Sequence, residues 1–416
     1  MKRNVIVGQS GGPTAAINSS LAGVYRTAKD RGANKVYGML HGVQGLLEEK
    51  YIDLSDHIKT ELDAELLKRT PAAFLGSCRY KLPEIHEDRE VYDRIFAILD
   101  KLDIEAFIYI GGNDSMDTIK KLSDYAIITG HPTRFVGCPK TIDNDLALTD
   151  HTPGYGSAAK YIGTSMKEII RDSFCLEYAN GLVTIVEIMG RNAGWLTGAA
   201  ALAQGEDCEG PDMIYLPEHS FDLVKFRDKV QKILEKKTSV VVAISEGICT
   251  SDGKYVCELG NSVDFVDAFG HKQLSGTAAY LANYIAGELG CKTRAIELST
   301  LQRAASHAAS RVDILEAYQV GGAAVKAADE GDSGKMVVLQ RLSDDPYQCG
   351  TEVKDVHKIA NDEKLVPPEW VTKDGTYVTS DFISYVRPLI QGDVSPVMVD
   401  GIPRHLYTPR ELSERH

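Results

Sequence analysis

Two short segments hold the residues best suited to chemistry: Ile110-Gly111-Gly112-Asn113-Asp114-Ser115 and Cys138-Pro139-Lys140-Thr141-Ile142-Asp143-Asn144-Asp145. Each follows an apolar, β-rich run, Ala106-Phe107-Ile108-Tyr109-Ile110 for the first and Arg134-Phe135-Val136-Gly137 for the second. In an open parallel sheet the loops beyond the strand C-termini line the ligand crevice, so the two segments are expected to be neighbours. Together they offer glycines that let backbone N–H groups approach an anion, three acids and one lysine. That set suits phosphoryl transfer, which needs positioned oxyanions, a metal and a base for a hydroxyl. Asp143 and Asp145 stand two apart on an extended or turn segment. They read either as an ordinary Asx-turn cluster or as one carboxylate near a metal and another near a hydroxyl.

The elements that must position these segments follow from hydrophobic periodicity. Val5-Ile6-Val7-Gly8 predicts a buried strand, Gln9-Ser10-Gly11-Gly12-Pro13-Thr14 a turn, and a helix begins near Ala15 with Ile17, Leu21, Val24 and Tyr25 on its apolar face. Strand, glycine turn and helix N-terminus make an anion site, although Gly-Gly in a tight turn also serves purely structural ends. Strands are predicted at 35–39, 106–110, 134–137, 182–188, 213–216, 240–244, 293–298 and 336–339, and helices at 91–102, 115–122, 158–170, 223–236, 274–289 and 312–330. The small-residue loop Leu75-Gly76-Ser77-Cys78-Arg79-Tyr80-Lys81 ends in two cations, and a solvated turn is its plainer reading. Strands and helices alternate, which predicts α/β architecture with parallel sheets in two doubly wound, Rossmann-like lobes. The tail beyond about Lys354 is less regular, with a short helix at 382–387 stopped by Pro388. The expected division is 1–150, with part of the C-terminal region packing back on it, 151–340 and a C-terminal extension 341–416, with the site in the cleft between the lobes.

Composition limits the function classes. The chain of 416 residues allows two or three domains. A net charge of −13 argues against general nucleic-acid binding and requires local cations to hold an anionic substrate. None of the eight cysteines forms a CxxC pair, which fits reduced thiols in a cytoplasmic protein. No stretch approaches the length of a membrane span, and the first apolar run is too short for a signal peptide.

The ordered set Gly11-Gly12, Gly111-Gly112-Asn113-Asp114-Ser115, Thr141-Ile142-Asp143-Asn144-Asp145, Met189-Gly190-Arg191, Ser245-Glu246 and Leu301-Gln302-Arg303 resembles the phosphofructokinase family over nearly the whole chain. Asp114 and Lys140 stand where ATP-using members carry glycine, so the resemblance points to the pyrophosphate-dependent type. The alternative is an ATP-dependent phosphofructokinase. The resemblance implies two partners, pyrophosphate and fructose 6-phosphate, with Mg²⁺ as cofactor. Asp143 is then the base for the sugar 1-hydroxyl, Asp145 orients the site or a metal-bound water, and Asp114 and Lys140 complete the catalytic set. Gly11, Gly12, Gly112 and Ser115 would cradle pyrophosphate, with Arg79 reaching its oxygens. Thr141, Ile142, Met189, Gly190, Arg191, Glu246, Thr300 and Arg303 would hold the sugar phosphate. Arg294 resembles an arginine that reaches a neighbouring subunit's site, implying a homodimer or homotetramer. Three positions depart from the family pattern. Asn113 replaces an Asp assigned to the metal, Thr300 replaces a His or Tyr, and Leu182 replaces a second cross-subunit arginine of ATP-using bacterial members.

Overall fold

The computed structural model describes residues 1–260, 274, 276–359 and 362–409. Its strands run β1 Asn4–Gln9, β2 Val36–Met39, β3 Tyr51–Asp53, β4 Ile104–Gly111, β5 Arg134–Pro139, β6 Leu182–Ile188, β7 Met213–Tyr215, β8 Ser239–Ser245, β9 Lys292–Glu297, β10 Lys335–Asp344 and β11 Tyr347–Asp355. They form two sheets, one in the order β11-β10-β5-β4-β1-β2-β3 and one in the order β7-β8-β6-β9, and a separate two-stranded hairpin pairs Met398–Val399 with Ile402–Pro403. The second sheet is wholly parallel. The first is parallel from β10 to β2, with β11 and β3 antiparallel at its two edges.

Side-chain alternation explains how these strands are held. In β1, Val5 and Val7 join one apolar cluster and Ile6 another on the opposite face. In β4, Ala106, Ile108 and Ile110 face the first cluster while Phe107 and Tyr109 face the second. Both faces of the sheet are therefore covered, as parallel sheets require. The helix Ile17–Asp30 crosses the helix Arg311–Glu330 over one face. Their backbones meet at glycine: a Cβ on Gly23 would lie 2.0 Å from the Tyr318 carbonyl oxygen, and one on Gly321 would lie 2.0 Å from that of Ser20. No side chain larger than hydrogen fits between the two helices here.

This crossing brings the late chain back to the first lobe. The expected boundary at residue 340 falls inside β10, which pairs with β5 of the first sheet. The first lobe thus contains β1–β5 together with β10 and β11. β11 is antiparallel, unlike the predicted parallel strands, and it ends where the less regular tail is expected to begin. It is an edge strand whose residues are half-buried or exposed, so it carries no continuous apolar run for periodicity to detect. The expected helix at 274–289 begins at Thr277, and Ser275 lies outside the described residues. So do residues 360–361 and 410–416 of the expected C-terminal extension.

Candidate active site

β1 is flanked by β4 on one side and β2 on the other; the chain passes from β1 to β2 in one direction across the sheet and from β4 to β5 in the other. That arrangement opens a crevice beyond the strand C-termini. Gly11 and Gly12 follow β1, Gly112 to Ser115 follow β4, and Lys140 to Asp145 follow β5. From the second lobe, Met189 to Arg191 follow β6, Glu246 follows β8, and Arg303 lies in the short helix after β9. The loops face each other across a cleft of about 700 Å³. A Cβ on Gly12 would lie 3.7 Å from Arg303 Nη1, which shows how closely the two lobes approach.

The first-lobe side of the cleft is built on two glycine turns. Gly11 holds the left-handed conformation (φ +76°), with Lys140 Nζ 3.3 Å from the position of a Cβ there. Glycine therefore meets both demands, backbone and space. The Lys140 ammonium donates to the Gly12 carbonyl at 2.7 Å, and its side chain is almost wholly buried. Burial pushes Lys140 down to about 8, against the pull of Asp143 and Asp145. Gly112 caps the helix Asn113–Thr129 and places Asn113, Asp114 and Ser115 in its first turn, at the cleft. The free N–H groups and the dipole there favour an anion. The loop 75–81 is not a detached solvated turn: Gly11 N–H donates to the Cys78 carbonyl, the Ser77 hydroxyl donates to the Gly11 carbonyl, and Arg79 and Lys81 line the cleft.

Asp143 and Asp145 both face the cleft, separated by Asn144 in the left-handed conformation (φ +56°). The Thr141 hydroxyl donates to Asp143 Oδ2 at 3.1 Å. Burial raises Asp143 above the usual carboxylate range, opposed by that hydroxyl and by Lys140, Arg191 and Arg303. Asp145 is pushed up to about 7 by burial, then by Asp143 and Glu363. Across the cleft, Glu246 accepts from the Gly190 N–H at 3.3 Å and is pushed up to about 7, chiefly by burial. Ser245 Oγ ties this corner together, donating to the Gly190 carbonyl and accepting from the Gly247 N–H. Gln302 Oε1 accepts from the Met189 N–H. The family model for phosphofructokinase matches residues 4–328.

The chain belongs to the phosphofructokinase family. A pyrophosphate–fructose 6-phosphate 1-phosphotransferase of Xanthomonas campestris pv. campestris is 42% identical over 406 residues, covering 97% of this chain and 95% of that protein. One of Halomonas elongata is 39% identical and covers 100% of this chain and 98% of that protein. Among solved structures, a pyrophosphate-dependent phosphofructokinase from Nitrosospira multiformis matches with a TM-score of 0.88 at 35% identity, covering 98% of this chain and 97% of that one.

Two of the residues singled out from the sequence lie outside the cleft of this phosphofructokinase. Arg294 sits on the edge strand β9, partly exposed and paired with Asp172 at 2.7 Å. Thr300 is exposed at the start of the helix Leu301–Ala304 and does not line the cleft. Leu182 is fully buried as the first residue of β6. Conversely, Lys81, Asn192 and Glu363 line the cleft and were not chosen from the sequence. Lys81 and Asn192 lie beside chosen residues, Arg79 and Arg191. Glu363 had no local signal, because it reaches the site from far along the chain.

Proposed function

We propose that this phosphofructokinase transfers a phosphoryl group reversibly from pyrophosphate to the 1-hydroxyl of fructose 6-phosphate, giving fructose 1,6-bisphosphate and phosphate. The single observation that carries the donor assignment is the pair Asp114 and Lys140. The carboxylate occupies the first turn of the helix Asn113–Thr129, and the buried ammonium lies against the Gly12 carbonyl in the same cleft. A nucleotide would have to place its next phosphate against Asp114, where like charges repel. Pyrophosphate stops short of that point. The relatives named above carry the same specificity in their names.

In the forward direction Asp143 takes the proton from the 1-hydroxyl, whose oxygen attacks the terminal phosphorus. The bond from phosphorus to the bridging oxygen breaks, and phosphate leaves. Lys140 stabilises charge on the transferring group and the leaving phosphate. Gly11, Gly12, Gly112, Ser115 and Arg79 hold the diphosphate. Thr141, Ile142, Met189 and Gly190 shape the sugar site, Arg191 and Arg303 offset the sugar phosphate, and Glu246 engages sugar hydroxyls. The oxygen donors fit a hard divalent cation such as Mg²⁺. Asn113 Oδ1 is buried and accepts no hydrogen bond, and Asp114 and Asp145 add carboxylates in the same cleft. When bound, the cation would neutralise charge on the diphosphate oxygens. A homo-oligomer in which Arg294 reaches a neighbour's sugar phosphate agrees with its position on the outer edge of the second sheet.

A panel of donors and acceptors on the purified chain tests the reading. Pyrophosphate with fructose 6-phosphate is expected to give turnover at least about 100-fold above that with ATP. Faster turnover with ATP would overturn the donor assignment.

The pH profile tests Lys140. Its ammonium is the active form and is lost above about 8 in the empty site. kcat/KM, which reports the free enzyme, is therefore expected to fall about tenfold per pH unit above that point. The limb in kcat should lie higher, since bound diphosphate favours the ammonium. Arginine does not titrate in this range, so Lys140→Arg should lose the alkaline limb of kcat/KM even if turnover is reduced. An unchanged limb would remove Lys140 from this role.

A further inference from the structure

The stretch matched by the family model ends at residue 328, yet a later segment runs into the cleft. Glu363 forms an antiparallel bridge with Leu146, and the Lys364 N–H donates to the Asp145 carbonyl at 2.7 Å. The Lys364 ammonium donates to the carbonyls of Asp150 at 2.7 Å and Thr149 at 3.2 Å, and to Asn144 Oδ1 at 3.4 Å. Asn144 is fully buried and forms the left-handed turn that aims Asp143 and Asp145 into the cleft. Its other side-chain group donates to the Tyr385 hydroxyl at 3.0 Å. Asn144 Oδ1 also accepts from the Thr152 N–H at 3.0 Å, so two of its three side-chain partners, Lys364 and Tyr385, come from the C-terminal region.

The same segment also grips the second lobe. Trp195 Nε1 donates to the Lys364 carbonyl at 2.7 Å, and the Lys364 ammonium stands 5.2 Å from the centre of a Trp195 ring. Asn192 donates to Glu363 Oε1 at 2.8 Å. Glu218 Oε1 accepts from the N–H groups of both Gly194 and Val366. Trp195 begins the helix that follows the loop of Met189, Gly190 and Arg191. One lysine therefore touches the loop bearing the proposed base and the segment leading from the sugar-phosphate loop.

We propose that Lys364 is a positioning residue for phosphoryl transfer: from the C-terminal segment it fixes the turn carrying Asp143 and Asp145 against the sugar-binding lobe. It acts through the geometry of Asp143 and makes no substrate contact, since it does not line the cleft. A misplacement of about 1 Å at a reacting group can cost about 100-fold in rate, so loosening the turn should lower turnover with little effect on binding.

The inference rests on the transfer reaction proposed above, which wild-type turnover with pyrophosphate tests separately. Lys364→Met keeps the apolar stem and removes the ammonium. It is expected to lower kcat about 100-fold, with KM for both substrates within about threefold of wild type. In an Asp143→Ala background the same change should cost less than about threefold, because residues acting as a unit are not additive. A kcat within threefold of wild type would overturn the proposal. So would a rise in KM at unchanged kcat, or an equal loss in both backgrounds, which marks a merely structural role. Should Lys364→Met not fold, Trp195→Phe removes the Nε1 donor to Lys364 without exposing the charge. Its expected result is a roughly tenfold lower kcat at unchanged KM, and wild-type turnover would again overturn the proposal.

Discussion

Replacing Asp143 by alanine is expected to lower kcat about 10²–10⁴-fold, while KM for fructose 6-phosphate and pyrophosphate stays within about threefold of wild type. Asp143 is half-buried among cations, and among the described residues its side chain makes no hydrogen bond that holds a neighbouring element; its oxygen accepts from the Thr141 hydroxyl two residues away. Removing a desolvated carboxylate that lies close to Asp145 relieves repulsion. The variant should therefore fold, with a thermal midpoint at or above that of wild type. Function and stability are opposed at such a site. Steady-state kinetics in both directions, with a melting curve on the same sample, provide the test. Both directions must suffer equally, because the group that takes the proton in one returns it in the other. Near-wild-type turnover in a folded Asp143→Ala protein would remove Asp143 as the base and leave Asp145 or Glu246 to be tested in its place.

The second large effect concerns the donor. Asp114→Gly together with Lys140→Gly is expected to lower kcat/KM for pyrophosphate about 10³-fold, in line with the loss of one buried electrostatic stabiliser of the transition state. The ratio of ATP to pyrophosphate use should rise at least about 10²-fold, because a repulsion of several kcal/mol is removed. The two changes act on different parts of the reaction. Asp114 lies in the first turn of the helix Asn113–Thr129, where the dipole would otherwise welcome a further phosphate. Lys140 lies behind the glycine turn, with its ammonium on the Gly12 carbonyl. Asp114→Gly alone should admit ATP while Lys140 remains to stabilise the transfer, and Lys140→Gly alone should lose turnover without admitting ATP. Measuring kcat/KM for both donors across the two single variants and the double separates exclusion from catalysis. If the double variant gains no relative use of ATP, another part of the cleft excludes the nucleotide.

Much of this protein was legible along the chain because the signals are local. The short apolar runs of β1, β4 and β6 are patterns of neighbours, and they place Gly11, Gly112 and Met189 just beyond strand ends, where ligands bind in such sheets. Glycines, carboxylates and a lysine at those ends suit phosphoryl transfer by residue type alone. Motif order pointed to the phosphofructokinase family, to which the chain belongs.

Tertiary structure decided what depends on contacts distant in sequence. β11 rejoins the first sheet as a half-exposed edge, a position that demands no continuous apolar run. Gly23 and Gly321 are recognisable as a helix crossing only once the two helices meet. The residues of the Arg79 loop by themselves favour a solvated turn, whereas its hydrogen bonds to Gly11 hold it at the cleft. Arg294 and Thr300 lie outside the cleft, whereas Glu363 enters it, about 220 residues beyond Asp143. Propensity and loop chemistry are written in short stretches of sequence, so they can be read there. The pairing of Asn144 with Lys364 and Tyr385 is set by how two lobes pack, and nothing in either stretch alone encodes its partner.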